Sequence, residues 1–127
     1  MVPDGQYGDS GVREQAQLWG KDESLSELNL SAHKIGPGAA EALARALRES
    51  LSITSVNCSL NPALGDEGAR LLVPALRTDG TGVSTVRVLS LMRCGIGHVG
   101  AAALAQGLRR NSVLERLNLT GNSLGDA

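Results

Sequence analysis

The 127-residue sequence contains no phenylalanine, one tryptophan and one tyrosine. Without large rings to fill irregular spaces, the core has to be built from Leu, Ile, Val and Ala. Hydrophobic residues make up 42% of the chain, an ordinary share for a globular domain. Small aliphatic side chains of this kind suit regular layers, in which each layer offers the same space to the same residue.

The sequence also lacks a strong net charge and a long apolar run. Twelve Lys and Arg against thirteen Asp and Glu give a formal charge of −1, so no global field gathers nucleic acid or an anionic membrane. No apolar segment approaches the roughly 18 residues of a spanning helix, and the first residues lack the basic and then apolar order of a signal peptide. We therefore predict neither a nucleic-acid nor a membrane partner.

Cysteine is scarce. Cys58 and Cys94 are the two thiols, and without secretory features they indicate reduced cysteines in the cytosol or nucleus. We expect a cytoplasmic protein, with the nucleus as the alternative. His33 and His98 could in principle join the thiols as zinc ligands, but their repeat positions give the four side chains separate structural duties, so no metal or cofactor is predicted.

One pattern recurs along the chain. Leu-x-x-Leu-x-Leu, or a close variant, starts at positions 25, 53, 86 and 114, which are 28, 33 and 28 residues apart. Within it, Leu28 and Leu30 point to one side of an extended strand, and Glu27 and Asn29 point to the other. Apolar residues then recur at steps of three and four, which predicts an amphipathic helix over each strand. A fixed period of this length is typical of a repeat solenoid.

The chain resembles the ribonuclease-inhibitor-like class of leucine-rich repeats, with Leu-x-x-Leu-x-Leu-x-x-Asn/Cys-x-Leu followed by a Gly-Ala helix. Its last repeat, Leu114 to Ala127, is similar to repeats of nucleotide-binding innate-immune receptors. The resemblance implies an α/β leucine-rich repeat solenoid, with a curved parallel sheet of about four strands and helices on the convex face. The predicted units are a disordered segment over 1–11, a capping helix over 12–24 and repeats over 25–52, 53–85, 86–113 and 114–127.

Details of the repeats give further expectations. Leu18 and Trp19 should close the first strand layer, and Asp66 should cap the helix that begins beside it. The column of Gly36, Gly65, Gly97 and Gly125 suggests a turn with left-handed φ values. Pro74 should kink or shorten its helix, and residues 78–82 look like a flexible loop.

The C-terminal repeat is predicted to be truncated. Its helix, which should cover Leu117 and Leu119, does not follow in the sequence. We expect fraying after about residue 112 and self-association through the uncapped C-terminal end, because exposed apolar side chains and an unpaired strand edge favour association.

A dinucleotide fingerprint is suggested by Gly95-Ile-Gly97-His-Val-Gly100, a literal G-x-G-x-x-G after a strand. Repeat alignment opposes it, because Gly97 and Gly100 fall in columns that hold glycine elsewhere, and Gly95 looks like an ordinary turn residue. Nucleophilic catalysis is not predicted either, because the sequence shows no nucleophile elbow and its two histidines lie two repeats apart.

The open strand face remains as the candidate binding surface. Apolar and Arg side chains on an exposed sheet are typical of contact patches. We predict a noncatalytic module that binds another protein there, and two alternatives stay open: a regulator of a small GTPase, because Ran GTPase activators look like this class, and a regulatory fragment of an immune receptor. The predicted partner-binding residues are Glu27, Asn29, Asn57, Val88, Ser90, Met92, Arg93, Arg116 and Asn118.

Overall fold

Helices and strands alternate along the chain in the computed structural model, which describes residues 7–77, 84–109 and 111–123. The elements are α1 Gly8–Lys21, β1 Glu27–Asn29, α2 Pro37–Glu49, β2 Ser55–Asn57, α3 Gly65–Leu72, a 3₁₀ turn Val73–Leu76, β3 Val88–Ser90, α4 His98–Leu108 and β4 Arg116–Asn118. The four strands form one parallel sheet in chain order, and α2 packs between α1 and α3. The predicted solenoid architecture is confirmed.

Strand pairing places equivalent repeat positions side by side. Leu28 pairs with Val56, Val56 with Leu89, and Leu89 with Leu117. In this column Leu28, Val56 and Leu89 are buried. The next inward-facing residues, Leu30, Cys58 and Leu91, are buried as well. Burying each Leu or Val side chain contributes about 1.5–3 kcal/mol to the hydrophobic term, which explains why a three-residue strand is enough in each repeat.

The N-terminal cap is longer than predicted. Helix α1 begins at Gly8, inside the segment expected to be disordered, and ends at Lys21, before residue 24. It starts early because Gly8 N–H donates to His33 O at 2.9 Å and the Asp9 carboxylate accepts from Gly36 N at 2.6 Å. These contacts dock its first turn onto the first repeat; residues 1–6 lie outside the described residues.

The prediction that Leu18 and Trp19 together close the first strand layer is wrong for Leu18. Trp19 is buried at 8% exposure, whereas Leu18 is 63% exposed. Adjacent helical residues point about 100° apart, so only one of the two can face the first strand layer. Val12 and Ala16 accompany Trp19 on that face.

The second repeat departs from the others where the sequence suggests. Helix α3 ends at Leu72, and Pro74 lies in the 3₁₀ turn that replaces the rest of the helix, as predicted. The expectation of left-handed glycines holds only for Gly65 at φ 62°, because Gly36 and Gly97 are extended N-cap residues. Helix α3 therefore begins at Gly65 itself, whereas α2 and α4 begin one residue after their glycine. The predicted loop over 78–82 lies outside the described residues.

The fourth repeat contributes the last strand of the sheet. Strand β4 is formed, and its Arg116, Leu117 and Asn118 pair in register with β3. Fraying of this repeat after about residue 112 stays a prediction, which amide hydrogen exchange at residues 115–119 would test. Its Gly125 turn lies beyond the last described residue. Within the described ranges, no helix is long and apolar enough to cross a membrane.

Candidate functional site

The concave face is formed by the strand side chains that point away from the helices. The register confirms the predicted columns: one holds Glu27, Ser55, Val88 and Arg116, and the next holds Asn29, Asn57, Ser90 and Asn118. The structure thus brings the predicted strand residues onto one surface. Met92 lies two residues beyond β3, on the same side by the alternation of an extended chain.

The asparagines of this face have a structural task. Asn57 Oδ1 accepts a hydrogen bond from Ser59 N at 2.9 Å. In the same way, Asn29 Oδ1 accepts from Ser31 N, and Asn118 Oδ1 accepts from Thr120 N. Such Asx turns bend the backbone as it leaves each strand. Their presence on the concave face therefore has an explanation that needs no partner.

In the third repeat, the turn after the strand is held by different hydrogen bonds. Ser90 replaces the asparagine, and Met92 N–H donates instead to Ser59 Oγ of the previous repeat at 3.0 Å. The two serine hydroxyls also share a hydrogen bond of 2.7 Å. Ser90 is thus tied into the sheet. Sequence reasoning missed this substitution because the partner, Ser59, belongs to a different repeat.

A different group of residues makes up the contact patch: Val88, Met92, Arg93 and Arg116. Val88 and Met92 are partly exposed, and Arg93 and Arg116 are exposed. Arg93 has a left-handed φ of 51°, and a Cβ at Gly121 would lie 2.7 Å from its Cγ, so its stem lies against the next repeat's turn. Apolar surface beside arginine is the composition found at the centres of protein interfaces.

Charges on this side of the molecule fall into two groups. Arg87 and Glu115 form a salt bridge at 3.1 Å between neighbouring strands. Glu27, Arg93 and Arg116 form no ion pair with any other residue in the described part of the chain. These three side chains are therefore open to partner charges.

The inner side of the turns is held by an asparagine ladder. Asn61 Oδ1 accepts from His33 N and Ile35 N, and its Nδ2 donates to carbonyls on both repeats, including Leu30 O at 2.9 Å. Asn122 makes the equivalent bonds to Cys94 N and Ile96 N. These amides hold one repeat to the next.

His33, the departure from this ladder, serves the N-terminal cap. Its Nδ1 accepts from Tyr7 N at 3.3 Å, and its ring lies 4.8 Å from the Tyr7 ring. The first repeat has no predecessor to hold, so a ring that α1 can cover replaces the amide. His33 is therefore a docking residue for the cap.

The glycine motif of the third repeat is already occupied. Asp66 Oδ1 accepts from Gly97 N at 2.6 Å and from Gly100 N at 3.0 Å. Asp66 therefore caps the next helix, α4. The prediction that it caps its own helix is wrong. An internal carboxylate fills the place where a fingerprint would bind pyrophosphate. Gly95 is also not an ordinary turn residue, because at φ 69° a Cβ would lie 2.4 Å from Pro62 O.

The thiols lie in the core. Burial raises the pKa of Cys58 to about 12, and it also raises the pKa of Cys94. Cys94 Sγ donates to Cys58 O at 3.0 Å. Across residues 7–77, 84–109 and 111–123, no group of three or more His, Cys, Asp or Glu side chains could hold a metal ion. Neutral buried thiols with a backbone partner fill space in the repeat layers.

Two clefts open on the convex side. The cleft between α1 and α2 measures about 340 Å³, and its lining includes two cations and two acids: Arg13, Arg45, Glu41 and Glu49. The other, about 610 Å³, lies between the 3₁₀ turn and α4, with Arg70, Arg77 and Arg109 among its lining residues. Arg70 is paired with Glu67 and Arg77 has a partner of its own, so this cleft is not a row of unpaired cations.

Comparison with known proteins agrees with this geometry. The family model described as Leucine Rich repeat matches residues 21–44, 84–105 and 110–127, together about half of the chain. The chain is 32% identical to the ribonuclease inhibitor of Sus scrofa over 92% of its own length and 31% of the relative's.

Two further relatives are NACHT, LRR and PYD domains-containing proteins. The chain is 33% identical to protein 12 of Mus musculus and 38% identical to protein 3 of Homo sapiens, over 80% and 63% of its length. It spans only 9% and 7% of those two proteins.

A solved structure of leiomodin-1 actin-binding site 2 superposes with a TM-score of 0.74 over 87% of this chain and 61% of that chain. At 19% identity this is a likeness of fold. The repeat spacing, the parallel sheet, the asparagine ladder and the matching family model lead to one conclusion: the chain belongs to the leucine-rich repeat family and has repeats of the ribonuclease-inhibitor-like class.

Proposed function

We propose that the chain is a noncatalytic module that binds another protein through its concave sheet face, with the contact patch at the centre. The observation that carries this proposal is the contrast within the face. The asparagines and Ser90 are engaged in holding turns and strands, whereas Val88, Met92, Arg93 and Arg116 offer apolar and cationic surface. Partly exposed apolar groups beside arginine are what a protein partner can desolvate.

The relatives support a binding role. Both names state a protein target: ribonuclease for the ribonuclease inhibitor, and actin for leiomodin-1 actin-binding site 2. We do not carry either partner over, because the chain spans less than a third of the inhibitor and resembles the actin-binding structure in fold alone. What we propose for this chain is the class of partner, another protein, and the face that receives it.

The test compares Met92→Asp with Val99→Asp. Val99 lies on helix α4 and is 60% exposed, so the same change is made on the convex side. In affinity capture with quantitative mass spectrometry, partners should be lost with Met92→Asp and kept with Val99→Asp. Arg116→Glu should lower the affinity for a purified partner by about tenfold or more. Partners that survive Met92→Asp combined with Arg116→Glu would place the site on the rim or the convex helices.

A second candidate is a regulatory repeat segment of a nucleotide-binding immune receptor. It is favoured by the identity of 33% and 38% to the two NACHT, LRR and PYD domains-containing proteins. Sequencing the full transcript tests it, because a nucleotide-binding domain in the same reading frame is required. The GTPase-regulator alternative stays a prediction, and a GTP hydrolysis assay with purified small GTPases would test it.

We also propose that the chain can self-associate through the edge of β4. Leu117 and Leu119 are only partly buried there, and an edge strand presents backbone groups that another chain can pair with. Sedimentation equilibrium should show mass rising with concentration, and appending one further repeat should make the protein monomeric. A monomer at high concentration without the added repeat would contradict this proposal.

For the location we propose the cytoplasm, with the nucleus as the alternative. The reason is the pair of buried, unoxidised thiols, Cys58 and Cys94. Cell fractionation of the endogenous protein tests it, and recovery from a secretory compartment would contradict it.

A further inference from the structure

One row of the concave face has a charge order. In register across the four strands stand Glu27, Ser55, Val88 and Arg116, which are an acid, a hydroxyl, an apolar group and a cation. The row therefore changes from negative to positive along the sheet, with its apolar member nearer the positive end.

The charges at the two ends are not neutralised by each other or by their neighbours in the described ranges. The adjoining row is different, because Arg87 and Glu115 are paired at 3.1 Å. Arg93 is an exposed cation in the turn after β3, at the opposite end of that strand from Val88. Lys34 is in the turn after β1, at the opposite end of that strand from Glu27. The separation of charge across the row thus remains available to a partner.

The spacing of the row restricts the shape of that partner. Neighbouring strands lie about 4.8 Å apart, which puts Val88 about 10 Å and Arg116 about 14 Å from Glu27 along the sheet. At a rise of about 1.5 Å per residue, those distances correspond to about six or seven and about nine or ten residues of an α-helix. Positions seven and ten residues from the first lie within about 80° of it around the helix axis, and therefore on one face. In an extended segment, side chains on one face recur about every 6.6 Å, which does not match the 10 Å position.

We propose that the partner presents an amphipathic helix laid across the strands. Its carboxylate lies over Arg116, its apolar side chain lies over Val88, and its cation lies over Glu27. This inference rests on the proposed function and adds to it the secondary structure and charge order of the partner. An apolar helix face docked on a complementary surface, with charges fixing its direction, is an established way to read a helix.

The experiment uses a displayed library of stabilised helical peptides, about five turns long, selected on the full chain. Binding is then measured to Glu27→Arg combined with Arg116→Glu. The matched control is Glu41→Arg combined with Arg48→Glu, two exposed residues of α2 that undergo the same pair of charge changes. Melting temperatures should be unchanged in both double variants, because all four side chains are exposed.

We expect the enriched peptides to carry an acid, then an apolar residue about three positions away, then a base about seven positions further, or the reverse sequence. They should bind the concave double variant at least about tenfold more weakly, lose binding to Val88→Asp and bind the α2 control unchanged. Peptides selected afresh on the concave double variant should carry the opposite charge order.

Three results would overturn the inference. Peptides that need Val88 but show no charge order, or that bind in an extended form, would reject the helix and its polarity while leaving the proposed face intact. Peptides that bind Val88→Asp and Met92→Asp as well as the unaltered chain would reject the proposed face itself. A selection that enriches no peptide would also count against a helix-binding row.

Discussion

The same tripeptide, Leu-Asn-Leu, occurs at residues 28–30 and 117–119, where its first two residues end the first strand and the last. In the first, Leu28 is 7% exposed and Leu30 is fully buried. In the last, Leu117 and Leu119 are only partly buried. Both copies are strands in the same sheet and in the same register. Identical local sequence therefore gives the same backbone and a different environment.

The difference comes from the neighbours. In the first repeat, α1 packs on α2 and buries Val12, Ala16 and Trp19, and β2 pairs with β1. In the described part of the chain, β4 has a neighbour only on the β3 side. A solenoid layer gains most of its burial from the layers beside it, so the two copies should differ in energy as well as in exposure.

The largest effect is expected from removing the cap's anchor. Trp19→Ala should lower the free energy of unfolding by about 3–5 kcal/mol, because a buried ring is lost from the first layer. Leu18→Ala is the matched control and should cost less than about 0.5 kcal/mol, since Leu18 is 63% exposed. Urea denaturation measures both, and similar losses would contradict the role of α1 as a cap.

The two tripeptides can be compared directly. Leu30→Ala should cost about 2–5 kcal/mol, whereas Leu119→Ala should cost about 1 kcal/mol, because the second side chain is already partly in water. Thermal and urea melts of the two variants measure the difference. Equal losses would mean that the β4 layer is covered in solution, for instance by a second copy of the chain.

The asparagine ladder offers a smaller contrast. Asn61→Ala should cost about 2–3 kcal/mol, because His33 N and Ile35 N lose a buried acceptor. Asn57→Ala removes one Asx-turn bond at a partly exposed site and should cost about 1 kcal/mol or less. Chemical denaturation of both variants tests this order, and the reverse order would show that the ladder does not hold the repeats together.

The last contrast concerns the thiols: its effect is absent at neutral pH and develops only at high pH. Cys58 has a pKa of about 12 in the folded chain and an ordinary value of 9.0. The unfolded thiol therefore loses its proton first, so stability should be unaffected below pH 9 and should fall as the pH rises from about 9 to 12. Cys58→Ala should have a shallower fall over that range, measured against its own stability at pH 8.

Labelling checks the same burial. A thiol reagent should modify Cys58 slowly in the native protein and quickly after denaturation. Fast native labelling would contradict its place in the core column.

Much of the fold could be predicted because each repeat carries its own signals. The alternation in Leu28-Asn29-Leu30 predicts a strand with one buried face, and Pro74 predicts the end of α3. Both depend on interactions within one repeat. The columns of the concave face followed from aligning the repeats, and the strand register confirmed them.

Predictions failed where a side chain reaches a different repeat. Asp66 was assigned to its own helix, but its partners are Gly97 and Gly100 of α4. The role of His33 likewise depends on another segment, because α1 begins at Gly8 and Tyr7 lies against the His33 ring. Residue spacing along the chain does not show which of two nearby helix ends a short carboxylate will reach.

The sequence by itself determined the repeat, the alternation that makes each strand and the composition of a core without phenylalanine, because these depend on local periodicity and side-chain size. The tertiary structure decided which Leu-Asn-Leu is buried, which carboxylate caps which helix and which polar residues of the concave face are already engaged. The physical reason is that burial and hydrogen bonding depend on the neighbouring layer, and stacking alone brings that layer into contact.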